Sequence, residues 1–143
     1  MSIHLRLDMP SNPRFLSVVR AAIDELSMTV GLPKEECNAV ILAVDEALAN
    51  IIRHAYKSRH DERVEFHCLV NEEQMEFTLL DQGEAPDPAR ICAPCADEFA
   101  LSGRGTHLIR EIMDVVTYKK VPEGNQLKLI KRLPCAKGLV DGE

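Results

Sequence analysis

Apolar and polar residues recur along the chain with two different periods, and these periods predict its secondary structure. The segment "SIHLRLD" alternates with a period of two, as a half-buried strand does. The apolar residues that follow recur at helical spacing, which predicts a helix capped by Ser11 and closed by Gly31. A second helix is predicted to start at Pro33 and to run to about Lys57.

The second half of the chain predicts two hairpins on either side of one helix. The runs "RVEFHCLVN" and "QMEFTLLDQ" form the first hairpin, and "VTYKKVPEGNQLKLIKRL" forms the last. Between them, "THLIREIMDVV" predicts a helix that opens after Gly105. The resulting order, β-α-α-β-β-α-β-β, predicts an α/β (α+β) two-layer sandwich with helices on one face of a mostly antiparallel sheet.

The stretch from Gln82 to Arg104 shows neither period, and three prolines within it interrupt any regular element. Most loops in compact domains have about 4 to 6 residues, so a structureless connection of about 20 is abnormal. Such loops are usually lids or disordered segments.

Composition narrows the setting of this fold. The 143 residues are 45% hydrophobic and contain no linker-like tract, which predicts a single domain over residues 1–143. The net charge is -6 without a basic run, which argues against nucleic acid and anionic membranes as partners. We find neither a signal sequence nor a transmembrane-length apolar run, and an odd count of 5 cysteines favours reduced thiols. A cytoplasmic protein is therefore expected.

The second predicted helix carries an unusual polar face. Glu46, Asn50, Arg53 and Lys57 lie nearly opposite its apolar stripe, with His54 at the margin. A solvated face explains this pattern, yet Asn is a poor helix former. Its amide oxygen is a suitable ligand for Mg²⁺, and a carboxylate one turn away is placed to act as a general base. The core stripe itself consists of Cys37, Val40, Val44, Leu48, Ile51 and Ala55.

Two glycine segments offer the matching nucleotide contacts. Asp81 ends an apolar strand just before Gly83, where a carboxylate can accept a hydrogen bond from the amino group of a heterocycle. Ordinary turn chemistry explains this segment as well. Gly103 and Gly105 precede the third helix, whose free N–H groups favour phosphate; a hinge capped by Ser102 or Thr106 is the alternative.

Taken together, "DEALANIIRHAY", "DQGEAPDP" and "GRGTHLIREIMDVVTY" resemble the N box and the two glycine boxes of the GHKL ATPase superfamily, most closely its bacterial anti-sigma-factor serine kinases. The resemblance covers nearly the whole chain and implies a Bergerat-type ATP-binding fold with an ATP lid at about residues 82–104. It implies Glu46 as general base and Asn50 as Mg²⁺ ligand. The residues that it implies as ATP contacts are Asn50, Asp81, Gly83, Gly103, Arg104, Gly105 and Thr106.

Members of that family bind ATP and Mg²⁺ and are usually homodimers. The resemblance implies a kinase that sequesters a sigma factor and phosphorylates a serine or threonine of a STAS-domain antagonist. The chain departs from the family pattern at Glu84-Ala85 and Pro86 and in "MDVV", which affects lid packing and partner identity rather than the adenine and Mg²⁺ sites.

Three other functions are kept as alternatives. The first is a nucleotide-gated binding switch without kinase activity. The second is the ATPase domain of a sensor histidine kinase, although the chain lacks a dimerisation helix bearing a phosphoacceptor histidine. The third is a redox or zinc module built on Cys92 and Cys95, whose C-x-x-C spacing has no second pair.

Overall fold

The structure is a computed structural model that describes residues 1–85 and 101–134, without the side chains of residues 101–106. Within those residues it contains a five-stranded sheet and three α-helices. The strands are β1 (Ile3–Pro10), β2 (Arg63–Val70), β3 (Gln74–Asp81), β4 (Val115–Val121) and β5 (Gly124–Arg132). The helices are α1 (Leu16–Thr29), α2 (Lys34–Asn50) and α3 (Leu101–Ile112), with a 3₁₀ turn at Pro13–Phe15 and a π-helical segment at Ile51–Ala55.

The sheet has the strand order β1-β2-β3-β5-β4, and all neighbouring strands are antiparallel. Both predicted hairpins are therefore present, and the last one turns between Val121 and Gly124. Strand β5 crosses back to pair with β3, which places Asn125 directly opposite Asp81. Paired residues of adjacent strands point to the same face of a sheet. The register thus brings an amide from the last hairpin next to a carboxylate from the first.

One face of the sheet and the helices enclose the hydrophobic core. Alternate residues of β2 and β3 are buried, as the period of two requires, and the stripe predicted for the second helix is buried along its whole length. Helix α2 packs against both α1 and α3. Fully burying a large apolar side chain stabilises a fold by about 1.5 to 3 kcal/mol, so this layer supplies much of the stability. The predicted two-layer α/β sandwich is confirmed. Among the described helices, none has both the length and the apolarity that a membrane span requires.

The start of the first helix differs from the prediction. Asn12, rather than Ser11, caps the helical region, because a 3₁₀ turn precedes α1. Oδ1 of Asn12 accepts a hydrogen bond from the Arg14 backbone N–H at 3.0 Å. Ser11 is buried, and its Oγ donates to the Arg59 carbonyl at 2.6 Å and accepts from the Glu62 N–H at 3.1 Å. The serine ties a loop to β1 instead of capping a helix.

The second helix does not continue in α geometry to Lys57. It changes at Ile51 into a π-helical segment, in which the Tyr56 N–H donates to the Ile51 carbonyl at 3.0 Å. Lys57 already has a left-handed backbone, with φ at 53°. The apolar period misses this change because the wider turn keeps Ile51 and Ala55 buried, as an α-helix would.

Candidate functional site

Three polar side chains lie close together where α2 ends and the π-helical segment begins. Glu46 and Asn50 are one turn apart on α2, and Arg53 follows within the π turn. Nη2 of Arg53 donates to Oδ1 of Asn50 at 2.8 Å and lies 3.8 Å from Oε2 of Glu46. The side chains of Glu46 and Arg53 are 30% and 50% exposed. The polar face predicted from the sequence is therefore an interacting cluster that solvent and ligands can reach.

Tyr56 joins the end of this helical region to the sheet. Its side chain is buried, and its hydroxyl donates to the Arg63 carbonyl at 2.6 Å and accepts from the Gln82 N–H at 2.7 Å. Burial raises the pKa of the Tyr56 hydroxyl, so the phenol remains protonated and can donate. One hydroxyl thus holds the start of β2 and the residue after β3 against the helix end.

Asp81 lies at the C-terminal end of β3 and is 7% exposed. Its Oδ1 accepts from the Asn125 Nδ2 at 2.8 Å and from the Gly83 N–H at 2.9 Å. Burial raises the pKa of the Asp81 carboxyl, while these two donors act in the opposite direction. Within the described part of the chain no hydrogen bond ends on Oδ2. That oxygen is the acceptor that Asp81 can offer to a ligand.

At Gly83 the loop after Asp81 packs closely against the π-helical segment. A Cβ at this position would collide with the backbone carbonyl of Ala55, so only glycine fits. The next N–H, of Glu84, donates to that same carbonyl at 2.8 Å, and Lys57 Nζ lies 3.2 Å from Glu84 Oε1. The structure therefore brings two segments together, the one that carries Asp81 and the one that follows Asn50.

Asn125 is a site residue that the sequence interpretation did not identify. It is 2% exposed, and besides Asp81 it donates to the Gly83 carbonyl at 3.1 Å and accepts from the Tyr118 hydroxyl at 2.8 Å. The preceding Gly124 has a φ of 142°, and a Cβ there would collide with the Asp81 carbonyl oxygen. A sequence signal existed, because Asn125 has the same strand parity as the apolar Leu127 and Leu129. That alternation does not show which strand β5 pairs with, so it could not place Asn125 beside Asp81.

The third helix begins earlier than predicted. Helix α3 starts at Leu101, so Gly103 and Gly105 lie inside it rather than before it. The cost of a helical glycine, about 1 kcal/mol, is offset by the packing of α3 against α2 and by the burial of Ile109. Counted from Leu101, the N–H groups that lack an intrahelical acceptor extend only to Gly103, whereas those of Arg104, Gly105 and Thr106 lie beyond them. The side chains of Arg104 and Thr106 are outside the described residues.

The remaining candidates contribute less to this site. Residues 86–100 lie outside the described part of the chain, so most of the predicted lid, with Cys92 and Cys95, is not part of this description. His54 is exposed on the π-helical segment. Arg14 lies over the Phe15 ring at 5.7 Å, and Arg20 pairs with Asp45 at 3.1 Å. Among the described residues, no group of three or more His, Cys, Asp and Glu side chains is arranged to hold a metal ion.

A cavity of about 280 Å³ lies beside Asp81 and Asn125 and extends to side chains of the sheet face that the helices leave uncovered. Two guanidinium groups line it, those of Arg6 and Arg63. The two arginines pair with two carboxylates: Nη2 of Arg6 lies 3.4 Å from both Asp8 and Glu65, and Nη2 of Arg63 lies 3.2 and 3.3 Å from the same two side chains. Because these charges are neutralised within the sheet, the cavity does not form an anion site.

Known proteins share sequence similarity with this chain. Residues 9–131 match the family model of the histidine kinase-like ATPase domain. A serine-protein kinase RsbW from Bacillus pumilus is 27% identical over 122 residues, which make up 78% of this chain and 75% of that protein.

Two solved structures share the fold. The RsbU and RsbW domains of a Mycobacterium tuberculosis protein superimpose with a TM-score of 0.65 at 14% identity over 92% of this chain. The histidine kinase domain of a blue-light activated histidine kinase from Erythrobacter litoralis gives 0.58 at 20% identity over 94%. This chain spans 32% and 66% of those two chains. The architecture is thus that of a GHKL-type ATPase domain.

Proposed function

This chain belongs to the family of histidine kinase-like ATPase domains, and from that membership we propose that it is an ATP-dependent protein serine/threonine kinase acting as an anti-sigma factor. One observation carries the proposal. Asp81 and Gly83, which resemble the first glycine box, are held by Tyr56 and Ala55 against the end of the helix that bears Glu46 and Asn50. An adenine contact and a phosphate-side cluster thereby adjoin the same helical segment.

Asp81 is suited to recognise adenine. Its Oδ1 is saturated by two donors from the protein, which directs Oδ2 towards a ligand amino group. A carboxylate accepts from the 6-amino group of adenine, whereas the 6-oxo group of guanine would present a second acceptor and repel it. Gly83 keeps the adjoining backbone close to the helix, so that the base can be enclosed on this side.

Asn50 and Glu46 are suited to the phosphate end of the nucleotide. A side-chain amide oxygen is a hard, neutral ligand, and Mg²⁺ usually takes one or two protein oxygens together with phosphates and water. Bound Mg²⁺ would neutralise charge on the transferring phosphoryl group. Gly103 offers a backbone N–H group in the first turn of α3, which packs against α2.

Glu46 is the proposed general base. Its carboxylate is partly exposed and would accept the proton of a serine or threonine hydroxyl as that oxygen attacks the terminal phosphorus. A new O–P bond forms on the substrate while the bond to the ADP oxygen breaks. Such proton transfer contributes roughly 10² to 10⁴ to a rate, and positioning supplies much of the rest.

The proposed substrate is a STAS-domain antagonist, and the proposed second partner is a sigma factor. The similarity to RsbW serine-protein kinases supports this assignment. A homodimer is the proposed assembly, because members of the family that the motifs resemble are usually homodimers. Partner switching follows if phosphorylation weakens the antagonist's hold on the kinase and frees the kinase for the sigma factor.

The test combines labelled ATP, a STAS protein and a Glu46→Gln variant. We expect label transfer by the wild-type protein and its loss in Glu46→Gln, with ATP affinity retained. Glu35→Gln, an exposed change in the first turn of the same helix, is the matched control and should transfer normally. An active Glu46→Gln variant would refute the role of the base. ATP-dependent partner binding without any transfer by the wild type would establish the nucleotide-gated switch instead.

A further inference from the structure

Arg53 hydrogen-bonds the side chain that the proposed function assigns to the metal ion and forms an ion pair with the one that it assigns to the proton. Its Nη2 donates to Asn50 Oδ1 at 2.8 Å, and the same nitrogen is 3.8 Å from Glu46 Oε2. A single positive group therefore contacts both members of the proposed catalytic pair. The guanidinium satisfies a neutral amide oxygen and balances a carboxylate, as a bound cation would do.

The helical spacing makes this contact intrinsic to the segment. Glu46, Asn50 and Arg53 follow one another at intervals of four and three residues, the spacings that place side chains side by side on a helix. Two other cations among the described residues have different partners. Arg20 on α1 pairs with Asp45, and Lys57 pairs with Glu84. Arg53 is thus the cation that this helix itself supplies to the cluster.

A guanidinium and Mg²⁺ compete for these oxygens. Mg²⁺ binds oxygen at about 2.0 to 2.1 Å, which is shorter than the 2.8 Å hydrogen bond and would bring two positive charges close together. The Arg53 side chain is 50% exposed, so it can leave the cluster for solvent without crossing the core. Binding of the metal and placement of the guanidinium on Asn50 therefore exclude each other.

We propose that Arg53 is a built-in competitor of Mg²⁺, whose displacement from Asn50 and Glu46 sets the Mg²⁺ concentration at which nucleotide binds. The proposal rests on the proposed function, since it needs Asn50 to be the metal ligand. Arg53 is a positioning residue here, because it acts through Asn50 and Glu46. It also keeps the general base engaged until the metal arrives, which ties proton abstraction to metal loading.

The experiment measures binding of ATP by calorimetry across a series of Mg²⁺ concentrations. Arg53→Gln should lower the half-saturating Mg²⁺ concentration by about fivefold or more, within the range typical of coupled sites. Arg53→Lys keeps a charge with a different geometry and should give a smaller shift. Arg59→Gln, which removes a similarly exposed arginine paired with Glu62, is the matched control and should give none.

A double variant separates this mechanism from a general change of charge. In an Asn50→Ala background, Arg53→Gln should no longer shift the half-saturating concentration, because the contested oxygen is gone. An unchanged or higher Mg²⁺ requirement in Arg53→Gln alone would overturn the competition while leaving ATP binding intact. Absence of ATP binding by the wild type at every Mg²⁺ concentration would overturn the proposed function, and this inference with it.

Discussion

At the scale of single residues, Asn125 decides which oxygen of Asp81 is available. Its amide orientation is dictated, because Asp81 Oδ1 and the Gly83 carbonyl can only accept, so Nδ2 must face both. The amide oxygen then accepts from Tyr118. All polar atoms of a buried side chain are satisfied in this way, and Oδ2 of Asp81 is left without a hydrogen-bond donor among the described residues.

The first prediction concerns Asn125→Asp. The change places two carboxylates where a 2.8 Å hydrogen bond existed, and we expect it to lower the free energy of unfolding at neutral pH by about 2 to 3 kcal/mol. Like charges raise the pKa of the pair above that of free carboxyls, and burial already raises the pKa of Asp81. The lost stability should therefore return as the pH falls below this raised pKa.

Denaturant unfolding across pH checks this outcome. Asn71→Asp is the matched control, because the Asn71 side-chain oxygen only accepts, from the N–H groups of Glu73 and Gln74, and a carboxylate can do the same. A stability loss in Asn125→Asp that does not depend on pH would contradict the electrostatic explanation.

At the scale of elements, the junction of the π-helical segment with β2 and β3 holds the site together. Tyr56 contacts both strands through one hydroxyl, and Gly83 packs against Ala55. Neither contact belongs to a helix or sheet ladder. The motif "HAY" therefore matters for its tyrosine, which fixes where the Asp81 loop meets the helix.

The second prediction concerns Tyr56→Phe. Loss of the hydroxyl leaves the Arg63 carbonyl and the Gln82 N–H without their partner, at a cost of roughly 1 to 3 kcal/mol for each group that stays buried. We expect a lower free energy of unfolding and weaker ATP binding, because Gln82 adjoins Asp81. Tyr118→Phe, which removes one bond to Asn125, should cost less stability. Equal losses of unfolding free energy in the two variants would show that the two hydrogen bonds of the Tyr56 hydroxyl have no special role.

At the scale of the whole molecule, helices cover one face of the sheet, and the site forms where the π-helical segment after α2 meets the residues that follow β3. Its parts come from segments far apart in sequence, so a ligand that contacts them all stabilises the complete fold. A ligand that binds only the native state raises the free energy of unfolding by about 2.7 kcal/mol when its concentration is a hundred times its Kd.

The third prediction follows from that linkage. Mg·ATP should raise the thermal unfolding midpoint by several degrees, whereas Mg·GTP should not, because Asp81 offers an acceptor to the base. Asp81→Asn should abolish the ATP effect, since an amide of the same shape can present a donor there. Differential scanning fluorimetry of both proteins with both nucleotides makes the comparison. An equal rise of the unfolding midpoint with Mg·GTP would contradict the role of Asp81 in recognising the base.

Much of the fold was predictable because short-range physics determines it. The strand alternation, the buried stripe of the second helix and both hairpins follow from apolar period and turn chemistry. The errors lie at element ends, where local rules compete. The cap moved from Ser11 to Asn12, and α3 begins at Leu101 because packing against α2 outweighs the preference of glycine for non-helical backbone.

By itself, the sequence determined the layer architecture and the proximity of Glu46 and Asn50, since both depend on residues a few positions apart. Tertiary structure alone decided the rest. The pairing of β5 with β3 placed Asn125 on Asp81, and the packing of Gly83 on Ala55 joined two segments of the site. Such contacts depend on how distant segments meet in space, which local periodicity does not record.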